Sequence, residues 1–281
     1  MKQPIIQLKN VTFTYPGRNN MESATINDVS LDILEGQWIS IVGPNGSGKS
    51  TLSKLMNGLL RANKGSITVN GTELTSSSLR GIRQQIGFIF QNPDNQFIGS
   101  TIFEDLVFGM ENNCLSRSEM DERVQRFADK LTITPFLHRH PSELSGGQKQ
   151  RAAIAAVLAM DPRIVIFDEA TSMLDEGAKE SVIELMRSMH ASGQYTIISI
   201  THDMDEIIAS DRVVAMKSGQ IIADDSPFNL LQQEEIIEAC RLKPPFYIAL
   251  CQELRQRNID IGIHLNERDL VNNLWQYIST M

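Results

Sequence analysis

The stretch Trp38-Ile-Ser-Ile-Val42, followed directly by Gly43-Pro44-Asn45-Gly46-Ser47-Gly48-Lys49-Ser50-Thr51, decides the fold of this 281-residue chain. The first five residues are a short apolar strand, and the residues from Thr51 to Leu60 have the pattern of a helix. The glycines between them let consecutive backbone N–H groups converge on a phosphate, and the helix start adds the positive end of its dipole. The sequence therefore predicts a phosphate-binding loop between a strand and a helix.

Four side chains in two motifs have predicted roles in nucleotide chemistry. Lys49 would reach the β and γ oxygens of a nucleotide, and the Ser50 hydroxyl would ligate Mg²⁺. The second motif, Ile164-Val-Ile-Phe-Asp168-Glu169, places two carboxylates at the end of a buried strand, where open α/β sheets bind ligands. We expect Asp168 to hold Mg²⁺ through water and Glu169 to polarise the attacking water.

The rest of the chain predicts an α/β domain with an antiparallel β subdomain. The apolar runs Ile164 to Phe167 and Thr196 to Ile200 flank a predicted helix from Gly177 to His190. Continuous apolar runs are typical of parallel strands that are covered on both faces. Near the N-terminus, apolar and polar residues alternate from Ile5 to Tyr15 and from Thr25 to Ile33, which predicts half-buried antiparallel strands.

Two further regions are predicted to be helical. Residues 92 to 157 form a helical insert, in which the pairs Thr101 with Glu104 and Ser116 with Glu119 predict capping boxes. Residues 1–224 would then be one domain and 225–281 a C-terminal helical extension, with apolar stripes at Phe246, Ala249, Leu250 and Leu254 and at Leu270, Leu274, Trp275 and Ile278. The stripes would either fold back on their own domain or pair with the extension of a second subunit, as a dimerisation element.

Composition excludes several classes of protein. The chain has 26 basic and 34 acidic side chains, a net charge of −8, which argues against a surface that binds nucleic acid mainly through its phosphates. Its 3 cysteines form no CxxC pair, so we expect buried thiols in a reducing compartment. The longest uncharged apolar run, Ala152 to Met160, is far shorter than the roughly 20 residues of a membrane span, and the N-terminal residues do not have the apolar pattern of a signal peptide. We therefore expect that the chain does not cross a bilayer by itself.

A third motif, Leu144-Ser145-Gly146-Gly147-Gln148, ends a loop and starts an alanine-rich helix. A simple N-cap would use Ser145 but not two glycines, because glycine weakens a helix. Backbone N–H groups and a hydroxyl at the positive end of a helix are typical of an anion site. One chain thus offers two phosphate cradles but only one pair of carboxylates.

These motifs resemble those of the ATP-binding cassette (ABC) ATPases, whose signature is LSGGQ, over residues 5 to about 224. The resemblance implies a P-loop NTPase cassette in which the signature of one subunit closes on ATP held by the phosphate loop of another. It implies that Tyr15 stacks on adenine, that His202 is the switch histidine at the γ-phosphate, and that Ser172 to Asp175 communicates across the dimer. The residues expected to contact ATP are Tyr15, Gly43, Pro44, Asn45, Gly46, Ser47, Gly48, Lys49, Ser50, Thr51, Ser145, Gly146, Gly147 and Gln148. The residues expected around Mg²⁺ are Ser50, Gln91 and Asp168. The expected catalytic residues are Glu169, His202 and Gln91.

A narrower resemblance is to the ATPase subunits of energy-coupling factor importers. It is carried by Gln91-Asn-Pro-Asp-Asn-Gln-Phe97 and Ala170-Thr-Ser-Met-Leu-Asp175, and Leu144 to Arg151 fits the first of the two paralogous ATPases. Glu176 departs from the pattern, since that family usually has proline there. The resemblance implies an ATPase with Mg²⁺ that powers uptake of vitamins or other micronutrients. Its implied partners are a second ATPase subunit, copy or paralogue, a transmembrane coupling subunit and a substrate-binding membrane subunit, with this chain peripheral at the cytoplasmic face.

Three alternative functions are consistent with parts of this pattern. The chain could serve another ABC importer, such as one for cobalt or nickel, or be a soluble cassette ATPase that acts on DNA or the ribosome. The second alternative conflicts with the net charge, the single cassette and an insert too short for a coiled coil. A nucleotide-binding regulator without turnover would not need both Glu169 and His202. The transported cargo is not encoded here, because no residue of this chain would touch it.

Overall fold

A computed structural model of the chain describes residues 3–16, 24–112, 114–257, 259, 261–262 and 264–279. The strands are β1 (Pro4–Phe13), β2 (Ile26–Leu34), β3 (Trp38–Val42), β4 (Lys64–Val69), β5 (Thr72–Glu73), β6 (Ile86–Ile89), β7 (Ile164–Asp168), β8 (Thr196–Ile200), β9 (Arg212–Lys217) and β10 (Gln220–Asp225). The α-helices are α1 (Lys49–Met56), α2 (Leu79–Arg83), α3 (Ile102–Asn112), α4 (Arg117–Lys130), α5 (Gly146–Ala159), α6 (Glu176–Ala191), α7 (Met204–Ala209), α8 (Pro227–Leu230), α9 (Glu234–Cys240), α10 (Phe246–Gln256) and α11 (Glu267–Ser279).

The central sheet has the strand order β10-β9-β3-β8-β7-β6. Strands β9, β3, β8, β7 and β6 pair in parallel, and β10 joins the edge as the antiparallel arm of a hairpin. In this register Ile200 is paired with both Ile41 and Asp168, so β3, β8 and β7 end side by side. The loops that follow these three strands therefore meet at one edge of the sheet, as in other open α/β sheets.

A second, antiparallel sheet has the order β2-β1-β4-β5, which confirms the strands expected near the N-terminus. Its inward side chains, such as Leu8 and Ile33, pack with Ile41 of β3 and Leu55 of α1 in one buried cluster. Burial alternates along β2, with Val29, Leu31 and Ile33 inside. The period of two therefore gave the correct face, because only one side of this sheet is covered.

Helices α3, α4 and α5 build a separate apolar cluster together with α6 and the buried Trp38. The capping box of α4 is present between Ser116 and Glu119, and Thr101 and Glu104 exchange the same pair of backbone contacts before α3. The helical insert is therefore held against the parallel sheet through α5 and α6.

The helix after the phosphate loop differs from the expectation. It begins at Lys49 and ends at Met56, rather than running from Thr51 to Leu60. Gly58 has a φ of 67°, a left-handed conformation that stops a helix. The apolar residues that continued the helical pattern, such as Leu60, instead pack against the cluster under the antiparallel sheet.

The C-terminal helices fold back on the cassette. Leu230, Ile248 and Leu270 share a buried cluster with Val42 and Val213 of the central sheet. The predicted apolar face of α10 is wrong in part, because Ile248 and Cys251 are its buried residues while Phe246 is 75% exposed. In α11, Leu270 is buried, but Trp275 and Ile278 are 67% and 61% exposed.

Since the cassette and the C-terminal helices share this cluster, the domain boundary at residue 224 stays a prediction. Cys240 and Cys251 are buried as expected. Cys114 is exposed, contrary to expectation, because it lies in the turn after α3 with a φ of 57°. No helix in the described part of the chain is both long enough and apolar enough to cross a membrane.

Candidate functional site

The phosphate loop encloses the side chain of its own lysine, Lys49. The Lys49 ammonium donates to the Gly43 carbonyl at 2.7 Å, and the side chain is almost fully buried. Helix α1 starts here without a side-chain N-cap, so its first amides are open to an anion. Among the described residues, the buried Ser47 hydroxyl also has no hydrogen-bond partner. A loop with open amides, a cation and an unpartnered hydroxyl fits a phosphate group.

Two side chains that offer oxygen atoms to a metal ion, Ser50 and Asp168, lie together beside this loop. The Ser50 hydroxyl donates to Asp168 Oδ1 at 2.9 Å, which joins the start of α1 to the end of β7. Burial raises the pKa of Asp168, while the bond from Ser50 opposes the rise. Burial likewise lowers the pKa of Lys49, and the charges of Glu169 and Asp168 oppose the fall. A carboxylate and a hydroxyl are hard oxygen ligands of the kind that suits Mg²⁺.

Glu169 is the point where three strand ends converge. Gln91, which follows β6, donates from Nε2 to Glu169 Oε2 at 2.7 Å. His202, which follows β8, places Nε2 at 3.7 Å from Glu169 Oε1. Burial and the charge of Lys49 lower the pKa of His202, against the opposing charge of Glu169, which favours the neutral imidazole. Glu169 itself has a φ of 51°, a strained conformation for a non-glycine residue and one that is common at active sites.

Lys49, Ser50, Gln91 and Glu169 line a pocket of about 290 Å³. Its described lining residues are Thr25, Asn45, Gly46, Gly48, Lys49, Ser50, Thr51, Gln91 and Glu169. Tyr15 stands beside it, with its hydroxyl 3.4 Å from Thr51 Oγ1 and its ring edge against Phe13. The structure therefore brings together the phosphate loop and the side chains Gln91, Asp168, Glu169 and His202, with an aromatic ring nearby.

The signature residues Ser145 to Gln148 are not among the described lining residues of this pocket. Ser145 is the N-cap of α5, and its hydroxyl and the Gln148 side chain form a full capping box. A Cβ added to Gly146 would have no neighbour within 4 Å, and one added to Gly147 would meet Leu174 at 3.7 Å and Asp175 Oδ2 at 4.0 Å, both ordinary contact distances. Packing within this chain thus gives no reason for either glycine.

Three contacts that the sequence pattern did not reveal tie α5 to the segment after β6. Gln150 donates to the Phe90 carbonyl at 3.2 Å, just before Gln91. Farther along, Lys149 pairs with Asp94 at 2.6 Å, and Gln96 donates to the carbonyl of α5 residue Ala153 at 2.8 Å. The helix that starts at the signature is therefore joined by three side-chain contacts to the segment from Phe90 to Gln96.

Two further features of the structure lie outside the sequence motifs. One is a groove of about 710 Å³ lined by α2, α3 and the residues Gln96, Phe97 and Ile98. The other is the pair Thr171 and Glu206, two polar side chains that are nearly inaccessible to solvent. Spacing alone could not find either one, since both depend on which elements pack together.

Comparisons with known proteins agree with these motifs. A family model described as ABC transporter matches residues 26–172. An energy-coupling factor transporter ATP-binding protein EcfA1 from Mycoplasmopsis synoviae is 48% identical over 250 residues, which cover 89% of this chain and 93% of that protein. A protein of the same name from Streptococcus thermophilus is 44% identical over 278 residues, covering 99% of this chain and 100% of its own length.

Solved structures show the same architecture. The cbiO1 protein from Clostridium perfringens, described as part of the ABC transporter complex cbiONQ, superposes with a TM-score of 0.74 at 30% identity. That match covers 89% of this chain and all of the other. The dimeric ATP-binding cassette MJ0796, bound to ADP and phosphate, superposes with a TM-score of 0.72 at 30% identity over 79% of this chain and 98% of its own.

Proposed function

This chain belongs to the ABC transporter family of ATPases, and we propose that it is the ATP-hydrolysing subunit of an energy-coupling factor importer for vitamins or other micronutrients. The observation that carries the proposal is the meeting of Lys49, Glu169 and His202 at one sheet edge, beside Ser50 and Asp168. Phosphoryl transfer on this scaffold needs a phosphate cradle, metal ligands and a group that orients water.

Each side chain has a distinct part in the proposed reaction. The amides of the loop and the Lys49 ammonium hold the β- and γ-phosphates, and Tyr15 stacks on the adenine. Ser50, Asp168 and Gln91 would hold Mg²⁺, which neutralises the charge that develops on the phosphate oxygens. Glu169 orients the attacking water as general base, and neutral His202 donates to the γ-phosphate beside it. Gln91 also holds Glu169 in place through the 2.7 Å bond.

The signature would serve a nucleotide held by a second cassette. Its amides lie at the start of α5, and neither Gly146 nor Gly147 is crowded by its own chain. Glycine costs helix stability, so its presence at both positions is best accounted for by close approach of a group from outside. The ADP-bound dimer of the related cassette MJ0796 supports a two-cassette arrangement. The partner would be a copy or a paralogue of this chain.

The groove beside Phe97 is the proposed docking place for a membrane subunit. Ile98 is 73% exposed and Phe108 is 48% exposed, so the groove presents an apolar surface of the kind that binds a partner protein. The groove is continuous with the segment that begins at Gln91, next to the proposed metal site. A transmembrane coupling subunit bound in the groove would respond, through this segment, to the nucleotide bound at the pocket. The chain would thus be peripheral, at the cytoplasmic face, and a separate membrane subunit would bind the cargo.

The substitution Phe97→Ala tests this coupling in the complete transporter reconstituted in vesicles. We expect basal ATP turnover to stay within about twofold while transport falls at least about tenfold, because the groove loses an aromatic lining residue but the nucleotide pocket keeps its residues. Phe228→Ala is the control, since Phe228 is also a partly exposed phenylalanine but lies on α8, away from the groove. A proportional loss of both activities, or transport at the wild-type rate, would contradict the proposed coupling.

A further inference from the structure

Two buried polar side chains, Thr171 and Glu206, connect the loops that carry the proposed reacting groups. Thr171 is 5% exposed and Glu206 is 2% exposed, and the Thr171 hydroxyl donates to Glu206 Oε1. Thr171 lies two residues after Glu169, and Glu206 lies four residues after His202. This contact therefore joins the two segments close to their functional ends.

A second contact joins the same two segments nearer the surface. Asp203, directly after His202, accepts the amides of Asp205 and Glu206 with Oδ1 and caps α7. Its Oδ2 pairs with Lys179 of α6 at 2.8 Å. Because α6 begins directly after Asp175, the Lys179 pair ties the far end of the segment 169–175 to the same short helix.

Both contacts lie within a few residues of Glu169 or His202. The two residues follow different strands, β7 and β8, and their side chains approach to 3.7 Å. Glu169 is held at a φ of 51°, a conformation that persists only where the surrounding structure determines it. Reacting groups must be positioned within about 0.5 Å for full activity, so a shift of either loop would be costly.

We propose that Glu206 is a positioning residue for ATP hydrolysis: by accepting the Thr171 hydroxyl it fixes the segment 169–175 against α7, and so sets Glu169 relative to His202. The inference rests on the proposed roles of Glu169 and His202. Glu206 is buried and is not among the described lining residues of the pocket, so it acts through the two loops and not on the nucleotide.

The chemistry of this position favours a role beyond packing. A carboxyl group in an apolar interior is destabilising unless its hydrogen bonds are made, and an aliphatic side chain would pack there at lower cost. Burial raises the pKa of Glu206 to about 7; the Thr171 hydroxyl opposes the rise, Asp203 adds to it, and Thr201 and Lys179 oppose it. Burial thus favours the protonated form of the carboxyl group, and glutamine is a close mimic of that neutral form.

Four variants of the full chain in its assembled transporter test the inference. Thr171→Val and Glu206→Ala remove one partner each, whereas Thr171→Ser and Glu206→Gln keep a hydroxyl donor and an amide oxygen acceptor. We expect the first two to lower kcat on the order of 10- to 100-fold with the KM for ATP within about twofold. The conservative pair should keep at least half of the wild-type kcat. Amide hydrogen exchange in residues 169–174 should accelerate only in the first two variants.

The control is Ser210→Ala, which removes a buried hydroxyl at the other end of α7 that donates to the Ile207 carbonyl. It should lower the melting temperature without lowering kcat. A kcat that falls in Ser210→Ala as in Thr171→Val, or wild-type turnover in both Thr171→Val and Glu206→Ala, would overturn the positioning role. If Glu206→Ala does not fold, the comparison of Thr171→Val with Thr171→Ser decides. Wild-type turnover in a Glu169→Gln reference would instead overturn the proposed base itself.

Discussion

The phosphate loop and the signature loop are both glycine-rich turns before a helix, yet only the phosphate loop has glycines that are crowded by their own chain. A Cβ on Gly43 would lie 2.1 Å from the Met216 carbonyl, and one on Gly48 would lie 2.7 Å from the Thr25 carbonyl. Both residues also have a positive φ, 148° and 107°. Gly146 and Gly147 have neither a positive φ nor a crowding neighbour in their own chain.

The capping of the two helices differs in the same direction. Helix α5 has its first amides satisfied in part by the Ser145 and Gln148 side chains, whereas α1 has no side-chain cap. The phosphate loop is thus a site that the fold completes and leaves open for an anion. The signature is a surface whose glycines have no crowding neighbour in their own chain, so the two loops should respond differently to substitution.

The largest expected effect comes from disabling the phosphate loop in one subunit of a dimer and the signature loop in the other. Lys49→Ala alone and Gly147→Asp alone should each abolish turnover in a dimer that carries the lesion in both subunits. A mixed dimer with one lesion in each subunit leaves one composite site intact, so part of the activity should return. The measurement is ATP turnover after mixing the tagged variants and isolating the mixed species. Equal inactivity of all three dimers would contradict a site shared between subunits, if wild-type sites are shown to act independently.

A smaller effect separates the two kinds of glycine by their stability. Gly43→Ala should lower the free energy of unfolding by about 3 kcal/mol, because the methyl group meets a backbone carbonyl and the φ is unfavourable. Gly147→Ala should leave stability unchanged or raise it by up to about 1 kcal/mol, since alanine favours a helix. Urea unfolding of the two variants measures both values. A loss of stability in Gly147→Ala would mean that its own chain does require this glycine.

The smallest effect concerns the cap of α5. Ser145→Ala should lower the free energy of unfolding by about 1 kcal/mol, the usual value for a lost N-cap. Nucleotide binding to the single cassette should not change, because the pocket around Lys49 has no described contact with Ser145. Calorimetric titration with ATP and Mg²⁺ checks this against Ser47→Ala, which lies within the loop. Weakened binding in Ser145→Ala would place the signature in the pocket of its own chain.

Sequence reasoning predicted the elements that local patterns encode. The strand Trp38–Val42 has the predicted limits, and Asp168 and Glu169 stand at the end of a buried strand as expected. The helix after the phosphate loop was predicted too long, because Gly58 stops it while the apolar period continues. On α10 the predicted face is wrong in part, since Phe246 is exposed and Ile248 is buried, while Leu250 packs against the cluster as expected. The face that a helix buries depends on where its partner lies.

The sequence by itself determined the phosphate loop, the carboxylate pair and the signature, because each consists of neighbouring residues whose spacing the backbone converts directly into geometry. Only the tertiary structure decided which distant residues form hydrogen bonds with one another. Gln91 donates to Glu169, Gln150 donates to the Phe90 carbonyl, and Thr171 donates to Glu206. These pairs are separated by 35 to 78 positions in the chain. Their contacts arise from strand order and register, which no local pattern of residues specifies.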